Sequence, residues 1–269
     1  MKHTFGFIGC GNMGGALASA VAKCVSGDCL MLCDADTAKT EALTAACGAH
    51  AVDLATLAAE SEYIFLGVKP QSFEGLFSTL RPMLQARKTR FVLVTMAAGV
   101  SIAAVQALSG CDTCAVIRIM PNTPVSVGEG MILYTASEQV RAEELDVFCA
   151  AMAKAGVLDR LPEDKIDAAS ALSGCGPAFV YLFAEALADG AVECGLPRDK
   201  ALLYAAQTLV GASKLLLTSG KHPGQLKDAV CSPGGTTIAG VHALESGAFR
   251  ASAIGAVTAA YEKTLKLKK

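Results

Sequence analysis

Charge of either sign is scarce in this 269-residue chain: charged residues make up 18%, and 23 basic against 25 acidic side chains leave a formal net charge of −2. So weak a field gives no steering toward nucleic acid or an anionic membrane surface, and neither is expected as a partner. Histidine is sparse too. The four residues, at 3, 50, 222 and 242, form no paired motif, and the CxxC spacing from Cys111 to Cys114 lacks the further ligands of a zinc site. No metal is expected. The 11 cysteines are odd in number and scattered, which excludes a disulfide framework and suits free thiols in a reducing cytoplasm. Two uncharged stretches imitate export or membrane signals. Thr4 to Ala22 is broken by Gly6, Gly9, Gly11, Gly14 and Gly15, and Phe91 to Cys111 changes from β-branched residues to a turn and then to helical spacing at Ile102, Val105 and Leu108. Neither reads as a targeting or transmembrane segment.

Hydrophobic residues supply 52% of the chain, more than so few charges can cover on a monomer, so a homo-oligomer is expected. The length favours two domains over one large core. From Thr4 to about Leu161, short β-rich runs alternate with helical stretches: Phe5 to Ile8, Cys29 to Cys33, Tyr63 to Val68, Phe91 to Met96, Cys114 to Met120, Met131 to Tyr134 and Val157 to Leu161. This pattern predicts an α/β domain over 1–162, a doubly wound parallel sheet of seven strands with helices on both faces. After Pro162 the strand signals stop, and 163–269 reads as all-helical. Pro197 opens a helix that Gly220 closes. Its broad apolar face, and that of a second run from Ala178 to Leu187, suit packing against a partner chain better than a private core.

The strand Phe5 to Ile8 leads straight into Gly9-Cys10-Gly11-Asn12-Met13-Gly14, and helical periodicity begins at Gly15. A glycine loop between a strand and a helix is the dinucleotide-binding arrangement. The first glycine turns the chain, the second admits the pyrophosphate and the third lets helix pack on strand, so the phosphates sit at a helix N-terminus. The second run ends at Asp34, about twenty residues past the loop, where an acid either accepts from the adenosine ribose hydroxyls or merely caps the next helix. In the first role it leans toward NADH. Asp36 adds repulsion against a 2′-phosphate, and Lys39 is expected a helical turn or more away. Three further strand ends face the same sheet edge: Val68-Lys69-Pro70, Ala97-Ala98-Gly99, and Pro121-Asn122, whose amide could serve a nicotinamide or substrate. Each alone is also an ordinary turn. In the helical half, Ser232-Pro233-Gly234-Gly235-Thr236-Thr237 precedes a helix predicted over Ile238 to Ser246, offering backbone N–H and hydroxyl donors that suit a carboxylate or, more simply, cap the helix.

Taken in order, GFIGCGNMGGAL from Gly6, VKPQ from Val68, AAGV from Ala97, RIMPNTP from Arg118, LSGCGPAF from Leu172 and HPGQLKDAVCSPGGTTI from His222 resemble the Δ1-pyrroline-5-carboxylate reductases of proline biosynthesis over essentially the whole chain. The last block is the most specific, because Rossmann loops are shared by many families. The resemblance implies a Rossmann-type domain followed by a helical domain that interleaves with its twin in a homodimer, often assembled into decamers. It implies reduction of L-1-pyrroline-5-carboxylate by NADPH or NADH. On that pattern Gly9 to Gly14, Asp34, Lys69, Ala97 and Asn122 line the cofactor, and Gly234, Gly235, Thr236 and Thr237 hold the substrate carboxylate. Cys175 and Phe179 depart from the usual serine and tyrosine, each removing a hydroxyl. Hydride transfer to an iminium carbon needs alignment and a proton on nitrogen rather than a nucleophile, so Thr237 is assigned as hydrogen-bond donor to the ring nitrogen. Two other readings compete. A β-hydroxyacid dehydrogenase would use a lysine acid/base, for which Lys227 is the lysine near a glycine-rich loop; a non-catalytic NAD(P)H sensor would have no use for the second cradle.

Overall fold

The computed structural model describes residues 4–267. Its strands are β1 (Phe5–Ile8), β2 (Leu30–Cys33), β3 (His50–Ala51), β4 (Tyr63–Leu66), β5 (Val92–Thr95), β6 (Ala115–Met120), β7 (Gly130–Ala136) and β8 (Gly156–Arg160), joined in one sheet of order β3-β2-β1-β4-β5-β6-β7-β8. The helices flanking them are α1 (Asn12–Val21), α2 (Thr37–Cys47), α3 (Leu54–Glu60), α4 (Phe73–Ala86), α5 (Ile102–Ser109), α6 (Ala142–Met152) and α7 (Glu163–Ser173). Period-two alternation explains the layers. Phe65, Val94 and Ile117 join Phe7, Leu17 and Phe148 on one face of the sheet, while Ile64, Leu66, Leu93 and Val116 join Leu57, Phe77 and Leu80 on the other. Strands buried on both faces are continuously apolar, which is why they were legible as short unbroken runs.

Two expectations are corrected. Among the described residues the sheet has eight strands, because the two-residue β3 pairs with Met31 and Leu32 without any β-rich run to announce it. It is also not wholly parallel. β7 runs antiparallel to β6, with Ile117 opposite Ala136, while β8 returns parallel to β7 after α6. Between Met120 and Gly130 the chain makes only a short 3₁₀ turn, Thr123–Val127, and so brief a link cannot carry the crossover that a parallel neighbour requires. The two stretches that imitated membrane signals are strand, loop and helix: β1 with α1, and β5 with α5.

The chain divides into two compact units, one running through Cys175 together with the residues from Ala260 on, the other Gly176–Ala259. Strands end at Arg160, yet α7 stays with the sheet. Ile166 packs on Met120 and Leu133, and Asp167 accepts a hydrogen bond from Arg118 of β6 at 2.7 Å, with both side chains almost fully buried. Arg118 also donates to Glu163 at 3.2 Å, and the same carboxylate caps the backbone of Ile102 at 2.8 Å. One cation thus ties α7 to the ends of β6 and α5.

The second unit holds α8 (Gly176–Glu193), α9 (Arg198–Ser219), α10 (Pro223–Val230), α11 (Thr236–Ser246) and the beginning of α12 (Phe249–Leu267). Segments 163–193 and 198–219 are long and apolar enough, by length and composition alone, to cross a membrane. In the single chain, however, α8 and α9 pack through small side chains, Ala188, Ala201 and Ala205, and leave Leu182, Leu203, Val210 and Leu217 exposed. That is a helix pair with an apolar face and almost no core of its own.

The Arg118 cluster generates a stability prediction. Arg118→Met removes the cation that Asp167 and Glu163 share and is expected to cost about 3–5 kcal/mol, read as a lower urea midpoint. Adding Asp167→Leu should recover much of the loss; a double variant no better than the single one would show that the charge pair is not what holds α7.

Candidate functional site

Between β1 and β4 the chain reverses its direction of progress across the sheet, and at such switch points doubly wound proteins bind ligands beyond the carboxyl ends of the strands. The ends of β1, β2, β4, β5 and β6 bring the predicted cofactor residues to this edge. Gly9 adopts φ +93° and donates to Cys33 O at 2.8 Å, turning the chain sharply off β1. A Cβ on Gly14 would fall 2.0 Å from Gly9 O, so α1 can start this close to the strand only on a glycine. Gly67, which sequence reading missed, closes the junction from β4: a Cβ there would meet Gly9 O at 2.5 Å. Gly11 is different. Its Cβ would enter open space, on the side where the helix begins. Gly11 is the N-cap of α1, without a side-chain cap and with no acidic residue in the first turn. Free N–H groups beside an open approach fit a pyrophosphate.

Asp34 holds this loop in place. Its carboxylate accepts from Cys10 N–H at 2.6 Å and from Asp36 N–H at 2.9 Å. The capping alternative falls to Asp36, whose side chain accepts from Ala38 N–H at the start of α2. Lys39 is nearer than the sequence suggested: its ammonium lies 3.3 Å from Asp36 and 3.9 Å from Asp34, because the (i, i+3) geometry of a first helical turn folds it back onto the cap. A cavity of about 300 Å³ is lined here by Cys10, Gly11, Asn12, Lys39, Leu43 and Ser126. Burial, then the Asp34 carboxylate and Cys33, push the Cys10 thiol up to about 12, so it stays neutral and serves as packing rather than as a nucleophile.

Of the remaining strand ends, Val68 is half-buried while Lys69 and Pro70 are exposed at a 3₁₀ turn, and Ala97 is buried beside exposed Ala98 and half-buried Gly99, which sits at φ +76°. Asn122 requires a correction. Its amide is engaged with the protein, Oδ1 accepting from Met131 N–H and Nδ2 donating to Ser173 O, both at 2.9 Å. It braces the end of α7 against β7, which leaves one N–H and one oxygen lone pair of the amide for a ligand. No motif could have signalled this, since Ser173 lies far along the chain.

The second cradle belongs to the other unit. Helix α11 starts at Thr236, two residues earlier than the periodicity predicted, so Thr236 and Thr237 form its first turn. Gly234 sits at φ +67°, and Gly235 is the N-cap with no side-chain hydrogen bond and no acid following. A Cβ on Gly235 would lie 2.3 Å from Ser232 Oγ. The simple capping alternative therefore fails, and donors remain for an anion. His222 has another task, capping α10 through Gly224 N–H at 3.1 Å. Lys227, the lysine of the competing dehydrogenase reading, pairs with Asp228 at 2.8 Å, and that hydrogen bond raises its pKa. Acid–base catalysis by lysine near neutral pH needs the opposite shift. Among the described residues no group of three or more His, Cys, Asp or Glu could hold a metal ion.

Comparison with known proteins decides the family. Residues 163–267 match the model described as pyrroline-5-carboxylate reductase dimerisation, and residues 4–99 match that of NADP oxidoreductase coenzyme F420-dependent proteins. A pyrroline-5-carboxylate reductase of Methanosarcina acetivorans is 37% identical over 100% of this chain and 99% of its own length. The chain belongs to the pyrroline-5-carboxylate reductase family. Among solved structures, the reductase of Coxiella burnetii has a TM-score of 0.91 at 30% identity, covering 100% of both chains. That of Plasmodium falciparum, with NADP bound, has a TM-score of 0.86 at 29% identity, covering 99% of this chain and 98% of its own. Members of this family are NAD(P)H-dependent oxidoreductases, and the uncapped start of α1 fits that cofactor.

Two glycines of the loop should therefore separate folding from binding. Gly11→Ala is expected to cost no more than about 1 kcal/mol of stability, the usual price of an alanine N-cap, yet to weaken dinucleotide binding at least tenfold in calorimetry. Gly14→Ala, with its Cβ against Gly9 O, should destabilise the protein itself. Equal behaviour of the two variants in thermal melts would sink this division of labour.

Proposed function

We propose that this chain reduces L-1-pyrroline-5-carboxylate to L-proline with NAD(P)H, in the cytoplasm, as a homodimer or a larger assembly of dimers. Residues 1–162 serve the dinucleotide, and 163–269 serve dimerisation and the substrate. The observation that carries the reading is the pair of uncapped helix starts, α1 at Gly11 and α11 at Gly235, both without an acid in the first turn. One suits a pyrophosphate and the other a carboxylate, the two anions this reaction must hold.

The dinucleotide, when bound, supplies the hydride. The chain's contribution is placement. Backbone N–H groups of Gly235, Thr236 and Thr237, with the hydroxyls of Ser232 and the threonines and the close approach allowed by Gly234, fix the substrate carboxylate. The Thr237 hydroxyl oxygen accepts a hydrogen bond from the protonated ring N–H, which orients the iminium while the hydroxyl proton is directed to the carboxylate. The imine arrives protonated from solution, so the carbon accepts hydride while the nitrogen keeps its proton, and no side-chain acid is consumed. At the other site Gly9 to Gly14, Asp34, Val68 to Pro70 and Ala97 to Gly99 line the dinucleotide. Asn122 acts behind that surface as a brace. The exposed apolar residues of α8 and α9 form the subunit interface, which accounts for two helices of membrane-spanning length in an enzyme of small, polar metabolites.

The deciding assay follows NADH and NADPH oxidation with pyrroline-5-carboxylate; absence of turnover with both dinucleotides rejects the substrate assignment. Thr237→Ala should lower kcat about tenfold to a hundredfold, the worth of a hydrogen bond to a charged group, and leave dinucleotide affinity within about twofold. Lost dinucleotide affinity would show the residue misplaced. In analytical ultracentrifugation the protein should sediment as a dimer or a multiple of dimers, and a monomer at micromolar concentration would overturn the interface.

A further inference from the structure

The charges beyond β2 are arranged as a set. Asp34 is largely buried, at 13% exposure, and both its oxygens accept backbone N–H groups, so its charge is pinned beside the glycine loop. Asp36 and Lys39 are each about half exposed, and Lys39 bridges the two carboxylates while bordering the cavity at Gly11 and Asn12. Two negative charges and one positive leave the set net negative. This position, past the second strand, is where Rossmann domains meet the adenosine ribose: an acid accepts from the 2′-hydroxyl, and a cation accommodates a 2′-phosphate.

We infer that this chain discriminates in favour of NADH over NADPH, and that Asp36, rather than Asp34, is the residue that sets the discrimination. The inference rests on the dinucleotide reading of the glycine loop. Lys39 is the cation bordering this cavity, and Asp36 neutralises it at 3.3 Å. A 2′-phosphate meets an ion pair and a second carboxylate instead of a free ammonium. Asp34 contributes repulsion as well, but it also holds Cys10 N–H, so its loss disturbs the loop that every dinucleotide uses. Asp36 makes no such contact with the loop. Its other task is to cap α2 through Ala38 N–H, which asparagine performs equally well. Asp36→Asn therefore removes one charge, keeps the helix start and leaves Lys39 with the more distant Asp34 alone, at 3.9 Å.

The test is calorimetric titration of the full chain with NADH and NADPH in the absence of substrate, at low salt. Wild type is expected to bind NADH at least tenfold more tightly. Asp36→Asn should bring the two affinities within about threefold by tightening NADPH alone, since one charge a few ångströms from a phosphate changes affinity about tenfold. Asp36→Asn with Lys39→Ala should lose that gain, and Asp34→Asn should weaken both dinucleotides. Tighter NADPH binding by wild type overturns the inference, as does an unchanged ratio in Asp36→Asn. Failure of both dinucleotides to bind removes it together with the dinucleotide reading. Preferential NADH binding without turnover of pyrroline-5-carboxylate supports it and rejects only the substrate assignment.

Discussion

The structure depends on how closely three backbone segments approach where β1, β4 and α1 meet. Gly9 O faces positions where a Cβ on Gly14 would lie 2.0 Å away and one on Gly67 2.5 Å away, so three glycines share a space that admits no side chain. The approach sets α1 directly off the end of β1 and fixes where its N-terminal N–H groups stand. Everything the dinucleotide site requires follows: the open side at Gly11, the uncapped helix start, and Asp34 within 2.6 Å of Cys10 N–H. Because the sheet is buried on both faces by the Phe7–Phe65–Phe148 side and the Phe77–Leu93 side, the junction cannot relax by shifting one strand.

Helix capping shows how the chain reserves its anion sites. Orphan N–H groups at a helix start are ordinarily satisfied locally, and here α2, α3, α5 and α10 are capped by Asp36, Asp53, Ser101 and His222. Helices α4, α6, α7 and α9 carry acidic residues in their first turns, which complement the dipole. Helices α8 and α12 also lack an acid in the first turn, but each follows within three residues on the helix before it; α1 and α11 have neither device, follow loops, and begin on a glycine N-cap. A glycine N-cap gives up about a few tenths of a kcal/mol against a side-chain cap, and a bound anion recovers it. Stability withheld at two helix starts is thus the physical form of the two binding functions proposed.

These features were not equally legible in the sequence. The glycine loop and the strands stood out because their signals are local: a steric rule at Gly9 and Gly14, and unbroken apolar runs at Tyr63 to Leu66 and Phe91 to Val94. The antiparallel β7 could be inferred only by counting the residues between Met120 and Gly130 against the length of a crossover. Lys39 was misplaced because Asp36, not Asp34, starts α2, and a cap shifted by two residues changes which side chains face each other. Asn122 looked like a ligand residue because an amide at a strand end suits one; its partners, Met131 N–H and Ser173 O, come from tertiary packing that no local pattern encodes. The allegiance of α7 to the sheet escaped for the same reason, since it rests on Arg118 reaching Asp167 and Glu163.

The second unit poses a different energetic problem. Its buried hydrophobic cluster consists of Ala188, Ala201 and Ala205, and alanine contributes little apolar area. Helix α11, which carries the proposed substrate cradle, has no buried residue in the single chain. Small domains bury too small a fraction of their surface to be stable without help, and one with so slight a core needs cover for Leu182, Leu203 and Leu217. In the proposed assembly a second copy supplies that cover, so the stability of α8 and α9 becomes linked to protomer concentration. An apolar surface that is a liability in one chain becomes, on this argument, the source of stability in the assembly.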